Sequence, residues 1–144
     1  MKIENYCTLE FPSRSANEGF ARAAAACFAA QLDPTLEEVN DVKTAVSEAV
    51  TNAVIHGYKG EAGTIYMDIT AQSGEETSLT VCVRDAGIGI PDVKQAMEPM
   101  YTTDTSGERS GMGFSFMEAF MDQVQVESEP GRGTLVTMKK FIGR

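Results

Sequence analysis

The longest amphipathic segment of the chain lies between Thr35 and Gly57, and it constrains the fold more than any other stretch. "TLEE" at its start is a capping-box pattern, with Thr35 as the cap and Glu38 at the third helical position. Apolar residues recur along the segment at helical spacing: Val39, Val42, Val46, Ala49, Val50 and Ala53. Because such a stripe is buried against a second layer, we predict a long helix that runs to about His56, with Gly57 as its C-terminal stop.

One row of this helix is polar. Glu48, Asn52 and His56, the last being the only histidine of the chain, are spaced four residues apart and therefore lie almost in line beside the apolar stripe. Three interpretations are compatible with this spacing: a solvated edge of the core, a polar site where the helix faces a pocket, and a metal site built from Glu48 and His56. A carboxylate can accept a proton, and an amide oxygen is a ligand that suits Mg²⁺. The third interpretation is the weakest, because no second cluster of ligand residues is visible.

Local patterns predict strands and further helices around this segment. "IENYCTLEF" alternates as a first strand, and "SANE" predicts a helix capped by Ser15, with Glu18 at the third helical position and an end near Leu32. Downstream, the patterns predict strands over about 64–71 and 78–84, a short helix over 92–97, a polar loop over 98–111, a helix over 112–121 and a closing hairpin of "QVQVESE" and "GTLVTMKKF".

The resulting order, β-α-α-β-β-α-α-β-β, predicts the α+β class: a two-layer α/β sandwich with a mixed, mostly antiparallel sheet and helices on one face. The length of 144 residues favours a single domain over 1–144. A net charge of −9 disfavours nucleic acids and anionic lipids as partners. No apolar run approaches the roughly 18 residues that span a membrane. We therefore expect a cytoplasmic protein, with Cys7, Cys27 and Cys82 as buried free thiols.

Two glycine-rich loops change the interpretation of the polar row. "DAGIGIPD" places Asp85 at a strand end before Gly87 and Gly89, so the backbone can approach a ligand and the carboxylate can accept a hydrogen bond from a purine amine. "GERSGMGFSF" places Gly111 and Gly113 before a helix, where free N–H groups favour phosphates. Each loop alone is also compatible with an ordinary turn or cap. Neither GxxxxGK[ST] nor a GxGxxG after the first strand is present, which disfavours Walker-type and Rossmann sites.

Taken in this order, the Glu/Asn helix, DxGxG and GxG after a long loop resemble the N, G1 and G2 boxes of the GHKL ATPase and kinase superfamily, whose members share the Bergerat ATP-binding fold. Within it, "SEAVTNAVIHGY", "VRDAGIGIPD", "YTTDTSGERSGMGF" and "ESEPGRGT" are most similar to the anti-sigma-factor serine kinases. The resemblance covers about residues 9–141. It implies a protein that binds ATP or ADP with Mg²⁺, inhibits a sporulation sigma factor as a homodimer, and phosphorylates a serine of an anti-anti-sigma factor.

The resemblance implies roles for individual residues of the kinase site. Glu48 would be the catalytic base and Asn52 the Mg²⁺ ligand. Arg109 stands where sensor histidine kinases usually have the first G2 glycine, and its guanidinium would stabilise charge on the γ-phosphate during transfer. Asp104 departs from the Lys that related kinases often have, so we assign it no phosphate contact. His56 is predicted to pack at the helix end, because the chain has no upstream helical hairpin carrying a phosphoacceptor histidine.

The resemblance also implies a set of nucleotide-binding positions. Asp85 would bind the adenine amino group, and Thr134 would support that recognition from a neighbouring strand. The G2 glycines would cradle the phosphates under an ATP lid formed by about 97–111. The full set of predicted nucleotide contacts is Asn52, Asp85, Gly87, Gly89, Gly111, Gly113 and Thr134.

Other functions remain compatible with the sequence. An ATPase of the gyrase or chaperone type is disfavoured, because 144 residues leave no room for a transducer domain. A related stress-response anti-sigma kinase, and a sigma-binding module whose nucleotide is only structural, both stay open. On the Ala-rich first helix, Arg22 is a candidate contact with an acidic partner surface.

Overall fold

An antiparallel sheet of five strands forms one layer of the computed structural model, which describes residues 4–59, 61–90, 93, 97 and 113–144. The strands lie side by side in the order β1-β2-β3-β5-β4, and each neighbouring pair is antiparallel. The predicted two-layer α+β sandwich is confirmed. The strands are β1 (Glu4–Pro12), β2 (Thr64–Gln72), β3 (Ser78–Asp85), β4 (Gln123–Glu129) and β5 (Gly133–Phe141).

Helices form the second layer. Each begins and ends close to its predicted position, and two of them end in a turn of different pitch. They are α1 (Ala16–Ala29) with a 3₁₀ turn (Ala30–Leu32), α2 (Leu36–Asn52) with a π turn (Ala53–Gly57), and α3 (Gly113–Phe120).

The two predicted capping boxes have different outcomes. At α2 the prediction is confirmed: the Glu38 N–H donates to Thr35 Oγ1 (3.1 Å), and the Thr35 N–H donates to the Glu38 carboxylate (2.8 Å). At α1 it is wrong, since Ser15 makes no side-chain cap. Its backbone is already helical (φ −55°, ψ −34°), whereas a capping side chain needs an extended backbone to reach the first turn. Glu18 instead pairs with Arg22 at 3.1 Å.

The core lies between one face of the sheet and the facing side of the helices. On the side of the sheet, most core side chains are Val, Ile or Met. Each fully buried aliphatic side chain there stabilises the fold by about 1.5–3 kcal/mol. The fully buried residues of α1 are all small, Ala21, Ala25 and Ala29, and they let α1 approach α2 closely. The other central members are Val42, Val46, Val50, Ile65, Met67, Ile69, Leu79, Val81 and Met138.

The alanine stripe of α1 also explains an incorrect burial prediction. All three cysteines lie in the described part of the chain and are free thiols, but Cys27 is exposed and Cys7 and Cys82 are only half-buried. The buried positions of α1 fall on the alanines, and Cys27 lies off that stripe. Among the described residues, no helix has the length and apolar character needed to cross a bilayer.

The end of α2 differs from the prediction. Gly57 is not a left-handed stop: it lies inside the π turn, where the Tyr58 N–H donates to the Ala53 carbonyl five residues back (3.1 Å). The first residue after α2 with a left-handed backbone is Lys59, with φ 50°. Gly57 is buried, and a Cβ there would lie 3.0 Å from the Asp85 carboxylate. The glycine at this position therefore serves a close approach of two segments and not a helix cap. Such π turns occur frequently at functional sites.

Candidate functional site

Asp85 is the last residue of β3, at the end of the sheet that faces the π turn. Its Oδ1 accepts a hydrogen bond from the Gly87 N–H (2.9 Å), and the Thr134 N–H also bonds the carboxylate. Burial raises the pKa of Asp85 above its ordinary value of 3.8, and these two N–H groups offset the effect only in part. A carboxylate can accept about four hydrogen bonds. Asp85 therefore has acceptor capacity left for a ligand amine.

Three backbone segments meet around Asp85 at glycines. A Cβ on Gly87 would overlap the Gly57 carbonyl oxygen, which also accepts a hydrogen bond from the Ile88 N–H at 2.9 Å. A Cβ on Gly133 would overlap the backbone carbonyl oxygen of Asp85. The G1 loop therefore packs directly on the π turn on one side and on the start of β5 on the other.

Gly89 makes a comparable contact with the β4–β5 hairpin. Its φ is 76°, and a Cβ would overlap the Glu129 carbonyl oxygen. Nearby, the Gly131 N–H donates to the Ile88 carbonyl at 2.6 Å. From the sequence, Gly87 and Gly89 were expected to let the backbone approach a ligand. In the structure, the close partners of both glycines are protein backbone, and their packing fixes the loop that follows Asp85.

Tyr58 joins the π turn to this loop. Its hydroxyl donates to the Thr64 carbonyl (2.6 Å) and accepts a hydrogen bond from the Ala86 N–H (2.8 Å). A Cβ on Gly63 would overlap the Tyr58 ring. Sequence reasoning missed Tyr58, although "GY" directly follows His56, the last residue of the polar row. The available signal was an aromatic residue beside a glycine.

A row of polar side chains crosses three strands at Asp85. Asp85 on β3 is paired with Thr134 on β5, which is paired with Ser128 on β4. The Ser128 and Thr134 hydroxyl oxygens lie 2.8 Å apart. The structure thus brings the predicted residues Asp85 and Thr134 together. It adds Ser128, which the alternating pattern of β4 presents as an ordinary polar strand residue.

The region in which Gly57, Gly87, Gly133 and Thr134 surround Asp85 is called the Asp85 corner. The polar row of α2 ends near it. Glu48 and Asn52 lie in the last two turns of α2, and His56 lies in the π turn directly before Gly57; all three are half-buried. Among the described residues, no group of three or more His, Cys, Asp or Glu could hold a metal ion. The amide oxygen of Asn52 is the kind of ligand that suits Mg²⁺ together with phosphate and water oxygens.

The structure describes only some of the other predicted site residues. Gly113 is the first residue of α3. Arg109, Gly111 and Asp104 lie outside the described residues, as does the predicted lid over 97–111 apart from Met97. In the predicted short helix over 92–97, the Met97 N–H donates to the Val93 carbonyl at 3.1 Å.

Arg22 lies on α1, and its side chain is 43% exposed while it pairs with Glu18. Beside this pair, a cavity of about 220 Å³ opens between α1 and α2. It is lined by Ser15, Glu18, Thr51 and Val54.

Several known proteins are similar to this chain over nearly its whole length. Residues 11–140 match the family model described as a histidine kinase-like ATPase domain. The anti-sigma F factor of Thermoanaerobacter sp. (strain X514) is 52% identical over 143 residues, which cover 99% of this chain and 98% of that protein. The chain belongs to the anti-sigma F factor family. The anti-sigma F factor of Pasteuria penetrans is 57% identical over 138 residues, covering 96% of this chain and 91% of that one.

A solved structure has a fold similar to that of this anti-sigma F factor family member. The crystal structure of the RsbU and RsbW domains of Rv1364c from Mycobacterium tuberculosis has a TM-score of 0.67 at 19% identity, and it covers 96% of this chain and 32% of that one. This structure supports the fold alone; the family resemblance predicted from the sequence is confirmed by the family model and by the relatives at 52% and 57% identity. The histidine kinase-like ATPase domain implies nucleotide binding. Within the described part of the chain, the Asp85 corner combines an acceptor carboxylate with a closely packed glycine loop.

Proposed function

We propose that this chain is an anti-sigma factor and an ATP-dependent protein serine kinase, acting as a cytoplasmic homodimer whose subunits are single domains over residues 1–144. It would bind and inhibit a sporulation sigma factor and phosphorylate a serine of its anti-anti-sigma antagonist. The observation that carries the proposal is the Asp85 corner. There, a half-buried carboxylate with spare acceptor capacity lies near the end of the helix that carries Glu48 and Asn52. The names of its relatives support the sigma factor as partner.

Different residues of the corner and its surroundings contact different parts of the nucleotide. Asp85 accepts a hydrogen bond from the adenine amine, with Thr134 beside it on β5. Gly87 and Gly89 hold the loop that forms this wall. The G2 glycines, Gly111 and Gly113, offer backbone N–H groups to the phosphates at the start of α3. Asn52 offers its amide oxygen to Mg²⁺.

The proton transfer is assigned to the polar row of α2. Bound ATP would supply the γ-phosphoryl group to the serine oxygen and leave as ADP, and Mg²⁺ held by Asn52 would offset the charge of the phosphates. The Glu48 carboxylate accepts the proton of the substrate serine hydroxyl, and the guanidinium of Arg109 stabilises charge on the transferred group. His56 has no chemical role in this scheme, because a serine substrate needs no histidine acceptor.

A phosphorylation assay tests the role of Glu48. The chain is incubated with Mg²⁺, radiolabelled ATP and the anti-anti-sigma protein, and wild type is compared with Glu48→Gln. We expect the variant to lose about 100-fold or more in phosphorylation rate while it still binds ATP, since only the proton acceptor is removed. Glu37→Gln, an exposed carboxylate in the first turn of α2, is the matched control and should keep the wild-type rate. Equal rates for Glu48→Gln and wild type would remove Glu48 as the base.

A pull-down tests the partner assignment and the proposed contact at Arg22. Wild type is expected to capture a sporulation sigma factor in the presence of nucleotide. Arg22→Glu should weaken that capture, because Arg22 is a partly exposed cation on α1. Arg14→Glu, an exposed arginine just before α1, is the control for charge alone. Capture of a stress-response sigma factor instead would support the related kinase type, and unchanged capture by Arg22→Glu would exclude that residue from the interface.

A further inference from the structure

Ser128 on β4 makes three short polar contacts beside the Asp85 corner, and the proposed function does not use it. Its hydroxyl accepts a hydrogen bond from the Ile90 N–H at 2.7 Å. It donates to the Gly133 carbonyl oxygen at 2.8 Å, and it lies 2.8 Å from Thr134 Oγ1. Ser128 is half-buried, so these contacts are partly shielded from water.

The three contacts use the full capacity of the Ser128 hydroxyl, which has one proton and two lone pairs. A carbonyl oxygen only accepts, so the Ser128 proton points to Gly133. The Ile90 N–H occupies one lone pair of Ser128. The Thr134 hydroxyl must therefore give its own proton to the other lone pair. This fixes the rotation of the Thr134 hydroxyl, and only its lone pairs remain available.

The fixed hydroxyl changes what the corner can recognise. Thr134 lies between Ser128 and Asp85 in one cross-strand row, and its backbone N–H bonds the Asp85 carboxylate. With the Thr134 proton directed to Ser128, the side chains of Thr134 and Asp85 both present acceptors. Adenine carries a donor amine at its 6-position, whereas guanine carries an acceptor carbonyl there. With the 6-position of the base at this row, the two acceptors match the two protons of the adenine amine and repel the guanine carbonyl.

We propose that Ser128 is a positioning residue that holds the Thr134 hydroxyl as an acceptor and so sets the preference of this site for adenine over guanine nucleotides. The inference rests on the proposed function, in which the Asp85 corner holds the base. Ser128 also anchors the G1 loop through Ile90. Anchoring alone would support any purine nucleotide, so the ratio of affinities separates the two effects.

The test measures the Kd of ATP and of GTP by isothermal titration calorimetry with the full chain and Mg²⁺. In Ser128→Ala the Thr134 hydroxyl is free to turn and donate to the guanine carbonyl, so the preference for ATP should fall about fivefold, the effect of one hydrogen bond. Ser128→Thr keeps the hydroxyl and should keep the preference. Thr137→Val removes a hydroxyl from the opposite face of β5 and should leave the ratio unchanged.

A second pair of variants tests whether Ser128 acts through Thr134. Thr134→Val should also lower the ATP preference, because the acceptor is lost. When Ser128→Ala is added to Thr134→Val, the ratio should change no further. A ratio that falls again in the double variant would contradict action through Thr134. Thermal unfolding of each variant confirms that the measured proteins are folded, and if Ser128→Ala does not fold, Thr134→Val and Ser128→Thr carry the test.

Two failures are distinguishable. If wild type binds neither nucleotide, the proposed function is wrong, and the inference fails with it. If wild type prefers ATP and folded Ser128→Ala loses affinity for ATP and GTP by the same factor, or loses none, the proposed function stands. In that case the role assigned to Ser128 is wrong.

Discussion

The two ends of the sheet are held together by different chemistry. At one end lies the Asp85 corner, or site corner, where the backbone contacts of Gly57, Gly87 and Gly133 surround Asp85. At the other end, which we call the C-terminal clamp, charged side chains make the contacts. The clamp consists of Lys140, whose ammonium bonds Asp41 (3.0 Å) and the Phe120 carbonyl (2.8 Å), and of Glu38, which accepts a hydrogen bond from the Gly143 N–H (2.8 Å).

The pKa values of the two ends move in opposite directions. Burial raises the pKa of Asp85 at the site corner. Burial also acts to raise the pKa of Glu38, but the N–H groups of Thr35 and Gly143, the Thr35 hydroxyl and the charge of Lys140 outweigh it and hold that pKa below its ordinary value of 4.5. The ionised form of Glu38 thus stabilises the fold, whereas the ionised form of Asp85 costs stability.

The largest expected effect comes from a Cβ at the site corner. Gly131 and Gly133 lie in one hairpin and both have left-handed φ values, 81° and 99°. A Cβ on Gly133 would overlap the Asp85 carbonyl oxygen, while one on Gly131 would meet nothing within 4 Å. Gly133→Ala should lower the free energy of unfolding by about 3 kcal/mol or more, and Gly131→Ala by about 1 kcal/mol from backbone strain alone. Urea unfolding measures both, and equal losses would show that the corner is not tightly packed.

A smaller effect is expected when the clamp loses its cation. Lys140 and Asp41 are 13% and 19% exposed, so Lys140→Met would leave a poorly solvated carboxylate and the Phe120 carbonyl without their partner. We expect a loss of about 2 kcal/mol in the free energy of unfolding. The control is Arg132→Met, which breaks an ion pair with Glu129 whose members are 81% and 69% exposed and should change stability by less than about 0.5 kcal/mol. Similar losses in the two variants would contradict a stabilising role of the clamp.

The smallest expected effect is the pH dependence of the clamp. Because the pKa of Glu38 is lowered on folding, its contribution is present above about pH 4.5 and is lost as the pH falls through its folded pKa. Glu38→Gln keeps a hydrogen-bonding side chain at the cap and removes the charge. The variant should be less stable than wild type by about 0.5 kcal/mol at pH 7, and the difference should shrink on acidification. Unfolding curves between pH 7 and pH 3 measure this difference, and a gap that widens on acidification would reverse the assigned sign.

The features of α2 that the sequence predicted correctly are local ones. Its capping box joins Thr35 to Glu38 within one turn, and its apolar stripe repeats within the helix, so both are visible in a short window. The cap at Ser15 failed because the chain enters α1 through a turn over residues 14–17, in which the Asn17 N–H bonds the Arg14 carbonyl. That turn puts Ser15 in a helical conformation before the helix begins.

The parts of the site that the sequence did not predict depend on distant segments. Gly57 looked like a helix stop and Gly133 like the first residue of a strand, but both make room for Asp85, which no local pattern could indicate. Thr134 was placed beside Asp85 only through the family resemblance. Ser128 was missed because its role depends on which residue of β5 lies opposite it, and that register is a property of the folded sheet.

The affinity of Asp85→Asn for ATP, measured by isothermal titration calorimetry at pH 7, tests the central assignment most directly. A hydrogen bond to a charged group is worth about 1.5–3 kcal/mol, so we predict at least tenfold weaker binding than in wild type. Thermal unfolding of the nucleotide-free variant is the control. A single cooperative transition shows that the variant is folded. Wild-type affinity for ATP in a folded Asp85→Asn protein would contradict the assignment of the Asp85 corner as the adenine site.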